Sequence, residues 1–126
     1  MGGIKLVTLQ KKKRLYELEY GDHVCMLFDD IQDYKYIAIN CAIDGLLNNE
    51  KVVLIVDEYY DELLIEDLRK ENIDVEQYIG SGQLVISNIN NIYVGNNGFV
   101  PKEAISNLNK LLLESQKENF DGIRII

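Results

Sequence analysis

The stretch Lys51-Val52-Val53-Leu54-Ile55-Val56-Asp57 constrains this chain more than any other. Its five apolar residues are consecutive, and four of them are β-branched. A strand with one wet face would alternate polar and apolar positions. This run does not alternate, so both of its faces must be covered, as in the parallel sheet of an α/β domain. Asp57, at the C-terminal end, would face the crevice where such sheets bind ligands.

The flanking segments alternate between helix and strand patterns. Tyr20-Gly21-Asp22 marks a turn, and Val24–Phe28 reads as a short first strand. Asp29 or Asp30 can cap the helix that follows. From Ile31 to Leu47, apolar side chains at Tyr34, Ile37, Ala38, Cys41, Ala42 and Leu46 recur at helical spacing, with Ile39, Ile43 and Leu47 on a neighbouring face. Asn48-Asn49-Glu50 ends that helix. A second helix is predicted over Tyr60–Asn72 with Leu63, Leu64 and Leu68 inward, then a short turn or helix at Val75–Ile79, broken by Gly80-Ser81-Gly82. Gln83–Ser87 reads as the third strand, and Asn88–Gly98 as a loop. Pro101 opens a last helix whose stripe is Ala104, Ile105, Leu108, Leu111 and Leu112. Ile123–Ile126 reads as a fourth strand. The order predicts an α/β, three-layer fold with a mainly parallel sheet. Residues 1–19 form a lead-in segment with a short helix near Leu9–Leu18, and 20–126 form the domain. The chain stops inside a strand, which predicts a fragment truncated at its C-terminus.

With 126 residues and a net charge of −8, the chain fits one domain and disfavours nucleic acid and anionic membrane as partners. The basic run Lys11-Lys12-Lys13-Arg14 reads as a solvated helix face or linker. Two cysteines, Cys25 and Cys41, make no secreted disulfide framework. No apolar run exceeds five residues, too few to span a bilayer, and Met1–Val7 lacks a signal-peptide core, so a cytoplasmic location is expected.

GxxxxGK[ST], GxGxxG, CxxC and HExxH are all absent, and no serine sits in a nucleophile-elbow context. No cofactor and no catalytic group is expected. The notable chemistry lies in Gly21–Asp30, which holds the only histidine. On a strand, His23 and Cys25 point to one face. They could share a small-molecule site, contribute two ligands to a metal, or simply pack. Asp57-Glu58 with Asp61-Glu62 reads as acids at a helix N-terminus. Tyr59, Tyr60 and Tyr93 could line a pocket or a core. Arg124, inside an apolar strand, must pair with an acid or reach a cleft.

These pieces together resemble the MEDS family, the sensory domain named for methanogens, methylotrophs and the dichloromethane-responsive regulator DcmR. The resemblance runs through Gly21-Asp22-His23-Val24-Cys25, Gly45-Leu46, Asn49-Glu50-Lys51-Val52, Val56-Asp57, Ile73-Asp74-Val75, Gly82-Gln83-Leu84, Tyr93, Phe99–Pro101 and Gly122-Ile123-Arg124, covering residues 20–126. It implies a RecA/KaiC-like architecture without the phosphate-binding loop. It also implies a sensory module of prokaryotic signal transduction or transcription regulation that binds a simple hydrocarbon derivative. His23 and Cys25 would sit in the ligand site, at the C-terminal edge of the sheet, with Phe28 and Tyr93 as apolar wall and Arg124 as a further candidate. The output would pass to a fused or partner histidine kinase or DNA-binding domain, or to a second copy in a homodimer. A redox or metal sensor using His23, Cys25 and Cys41, a degenerate RecA-like nucleotide scaffold and a pure interaction module stand as alternatives.

Overall fold

The computed structural model describes residues 29–56, 61–95 and 98–126, with only the backbone of Asp61 and Gly95. The first predicted strand, the lead-in helix, Asp57 to Tyr60, and with them His23, Cys25 and Phe28, lie outside the described residues.

Helix α1 (Ile31–Leu47) starts where Asp30 caps it: the carboxylate accepts from the Gln32 and Asp33 amides at 2.8 and 3.0 Å. The cap matters because the first N–H groups of a helix have no helical partner of their own. Strand β1 (Glu50–Val56) follows, then α2 (Asp61–Lys70), α3 (Val75–Gly80) and β2 (Leu84–Asn88). A four-residue helix α4 (Ile89–Ile92) and a small hairpin β3 (Val94–Gly95) with β4 (Gly98–Phe99) precede α5 (Pro101–Lys117) and β5 (Gly122–Ile125). Asparagines in the left-handed region end three helices: Asn49 after α1, Asn72 after α2 and Asn119 after α5. Asparagine tolerates that conformation better than other side-chain-bearing residues, so the polar exits of these helices are backbone devices.

β1 is the central strand of a parallel three-stranded sheet in the order β2-β1-β5. Its residues are buried except for the half-buried Ile55, as the unbroken apolar run requires. Val52, Leu54 and Val56 face Ala38, Ala42 and Leu46 of α1, Leu64 and Leu68 of α2 and Val75 of α3. Val53 and Ile55 face the other way, onto Ile92, Leu108, Leu111 and Leu112. Helices thus cover both faces, and the sheet is the middle of three layers.

Two expectations are corrected. Asn88–Gly98 is not an open loop: the Asn88 side chain accepts from the Asn90 amide and caps α4, and Val94 pairs with Phe99 across the hairpin. Leu47, Leu63 and Ile105 were expected to face inward but are 69%, 45% and 58% exposed. Each sits one position from a true inward residue, about 100° away around its helix.

Candidate functional site

β1 opens with two oppositely charged residues, Glu50 and Lys51, each 3% exposed. Neighbouring residues on a strand point to opposite faces, so each charge needs its own partner. Lys51 Nζ reaches Glu118 Oε1 at 2.5 Å on the α5 side. Glu50 faces the α1 side and accepts from Arg124 Nε through Oε2 at 2.6 Å.

Arg124 is the centre of that second group. It is 2% exposed and lies in β5 opposite Val52. Its Nη1 donates to the Cys41 carbonyl at 3.0 Å and to Asp44 Oδ2 at 2.7 Å, and stands 3.8 Å from Cys41 Sγ. One cation therefore ties two strands to the last turns of α1. Burial works against its charge, but the hydrogen bond to Glu50 and the other polar neighbours outweigh it and hold the guanidinium protonated beyond its ordinary range. Among the described residues, no buried side-chain N or O atom lacks a hydrogen-bond partner.

Two further side chains complete the arrangement. Gln83, 8% exposed, donates through Nε2 to the Leu46 and Glu50 carbonyls at 2.9 and 3.0 Å, closing the turn from α1 into β1. Gly45 lets α1 lie directly on this layer, since a Cβ there would come within 2.7 Å of Val52 Cγ2 and 3.2 Å of Arg124 Cδ. Three stretches of the sequence, around 45–50, at 83 and at 124, meet in one place.

This cluster lies at the N-terminal end of the strands, where Glu50 stands opposite Gly122. Tyr93 is elsewhere. It follows α4, beyond the C-terminal end of β2, and packs half-buried in the apolar cluster on the α5 face. Tyr93 and Arg124 are therefore separated by the sheet, and no common pocket is formed by the two. Sequence reasoning singled out Arg124 but missed Asp44, Glu50 and Gln83. Glu50 and Gln83 are signalled by polarity at the mouth of an apolar strand, whereas Asp44, inside α1, carries no such signal.

Burial pushes the Cys41 thiol up, with Arg124 acting in the opposite sense. A thiol kept protonated and enclosed is a poor nucleophile. Iodoacetamide is therefore expected to modify Cys41 only when the chain is denatured. Peptide mass mapping would check this, and rapid native labelling would reinstate Cys41 as a redox group. Among the described residues no set of three His, Cys, Asp or Glu side chains could hold a metal ion, and no helix is long and apolar enough to cross a membrane. An open cleft of about 330 Å³ between α1 and α2 has Lys35, Asp67, Lys70 and Glu71 in its walls. Lys70 and Asp67 are 3.6 Å apart, so its charges largely answer each other.

A family model described as the methanogen/methylotroph, DcmR sensory domain matches residues 22–126. No curated protein and no solved structure matches the chain.

Proposed function

The chain belongs to the MEDS sensory-domain family, and from that premise we propose that it senses a small organic molecule, a simple hydrocarbon derivative, without catalysing a reaction. The observation that carries this reading is the family match itself, which spans the whole described sheet and the stretch bearing His23 and Cys25. His23 supplies the hydrogen bond to a polar group of the ligand, and Cys25 supplies apolar contact. Phe28, Tyr93 and Arg124 are the secondary candidates, and because Tyr93 and Arg124 lie on opposite faces of the sheet, only one of those two can share a pocket with His23. Such pockets are mostly apolar with a few placed polar groups.

Residues 21–30 lead directly into α1. Arg124 holds the far end of that helix through Cys41 and Asp44. A ligand that favours one placement of α1 shifts a two-state equilibrium, and the shift passes to a fused or partner histidine kinase or DNA-binding domain, or to a second copy. The RecA-like scaffold, the prokaryotic setting and the regulatory output belong to the same proposal.

Thermal unfolding with dichloromethane, methanol and methylamine tests it. A ligand that binds only the folded chain, at a hundred times its Kd, stabilises by about 2.7 kcal/mol. One member of the panel is expected to raise the midpoint, and His23→Ala is expected to abolish the rise. Stoichiometric metal in anaerobically purified protein, with no response to any organic, would favour the metal or redox sensor instead.

A further inference from the structure

We propose that the outer edge of β2, with the uncharged surface around it, pairs with the same edge of a second copy, so that the two sheets become one. The inference deepens the sensing proposal by naming the face where two copies meet. It rests on the reading that a second copy can receive the signal.

The first observation is a gap in the charge pattern. Residues 77–101 contain no Asp, Glu, Lys, Arg or His. Since 27% of the whole chain is charged, the gap is a property of this region and not of the composition. It is bounded by Glu76 and Lys102, and it holds most of α3, all of β2 and α4, and the hairpin β3–β4. Ile79, Ile89, Val94 and Phe99 are all exposed within it. The gap also selects the occupant. With a net charge of −8, two copies repel each other where their charged faces meet. A face without charges is where they can approach, and the centres of protein interfaces are typically depleted of charge.

The second observation is an open edge. Among the described strands β2 has a neighbour on one side only, β1. Val52 stands opposite Leu84, and its N–H donates to Gln83 O at 2.7 Å. That register turns the backbone groups of Gln83, Val85 and Ser87 toward β1 and those of Leu84 and Ile86 outward. Past Leu84 the residues of β2 are half-buried, whereas β1 is buried but for Ile55. Natural edges are commonly blunted by Lys, by Pro or by a charge turned inward. β2 reads Leu-Val-Ile-Ser-Asn and carries none of these. Outward N–H and C=O groups are a template for another strand, and two identical edges complement each other about a two-fold axis.

An axis at Ile86 sets the register. The strands run antiparallel, Ile86 stands opposite its own counterpart, and Leu84 of each copy stands opposite Asn88 of the other. α3 and α4 both pack on β2. Antiparallel pairing therefore brings the Ile79 end of one strand to the Ile89 end of the other. These flanks matter, because a specific interface buries at least about 1,000 Å² and a five-residue edge supplies only part of that.

Sedimentation equilibrium of the full chain, from micromolar to millimolar concentration, tests the pairing. A reversible dimer is expected. Ile89→Lys is expected to weaken it by about tenfold or more, since each copy then brings an unpaired charge to the junction. Ile105→Lys changes another exposed isoleucine, in α5 and outside the uncharged stretch, and is expected to leave the dimer unchanged. Both side chains are exposed, so neither substitution asks the core to repack. A monomer over the whole range overturns the proposal, and so does a dimer that Ile105→Lys weakens as much as Ile89→Lys. Hydrogen exchange identifies the edge. The Leu84 and Ile86 amides are expected to exchange more slowly as the concentration rises, and exchange at both that ignores concentration overturns the pairing. Neither readout involves a ligand, so a failed pairing leaves ligand sensing standing, and an absent ligand response leaves the pairing standing.

Discussion

Arg124→Met is expected to destabilise the domain by about 3–5 kcal/mol, the range for removing one partner of a buried ion pair. Stabilities of single domains are about 5–15 kcal/mol, so a large part of the total is at stake. The loss does not measure the strength of the Arg124–Glu50 bond. It measures what happens to Glu50, whose side chain is 4% exposed and would lose the guanidinium beside it while staying buried. Asp44 is 25% exposed and can turn to water. Removing both charges should therefore recover much of the loss, because apolar replacements of a complete buried pair are often neutral. Urea unfolding of Arg124→Met, Glu50→Leu and the double variant checks this. The two single variants should lose similar amounts, and the double variant should lose clearly less than their sum. Strict additivity would mean that Arg124 and Glu50 do not act as a unit. Arg124→Lys should fall between, since an ammonium keeps the charge but cannot reach Glu50, Asp44 and the Cys41 carbonyl with one fixed fork.

That network also shows where the sequence stops being readable. A charge inside Ile123-Arg124-Ile125 signals that a partner must exist, because an unpaired guanidinium would not stay in the core. Nothing local says that the partners are Glu50 and Asp44, 74 and 80 residues earlier. The elements were easier to read, because their causes are local. The unbroken apolar run gave a central strand, Pro101 stands at the first turn of α5, and Asp30 caps α1. Which leucines face outward was harder. In α2 the inward pair is Leu64 and Leu68, and Leu63 differs from Leu64 by a single position. A wide apolar stripe has no marked rim until the neighbouring layer is known. The Asn88–Gly98 segment is hard to read for another reason. A helix of four residues is too short to show a period, and its only signal is the capping Asn88.

Gly45 carries the second large effect, and here two terms oppose each other. Alanine in a helix is favoured over glycine by about 0.8–1.0 kcal/mol. Against that stands a Cβ placed 2.7 Å from Val52 Cγ2, closer than such atoms can approach. Val52 is fully buried and β-branched, so its methyl group has little room to rotate away. Arg124 lies 3.2 Å from the same point and is held by Glu50, Asp44 and the Cys41 carbonyl. α1 must therefore lift, and lifting stretches the bonds from Arg124 to that helix. Overpacking of this kind costs about 1–3 kcal/mol and sometimes more, so Gly45→Ala should destabilise by about 2 kcal/mol despite the gain in helix propensity. Val52→Ala alone should also destabilise, by loss of buried methyl groups. Combined, the two should be less harmful than their sum by at least ~0.5 kcal/mol, because the smaller residue vacates the space the new Cβ enters. Chemical denaturation of the four proteins reads this coupling. A Gly45→Ala variant as stable as the parent would show that the helix can move freely over the sheet, and that the tie from Arg124 to Cys41 and Asp44 does not fix its height.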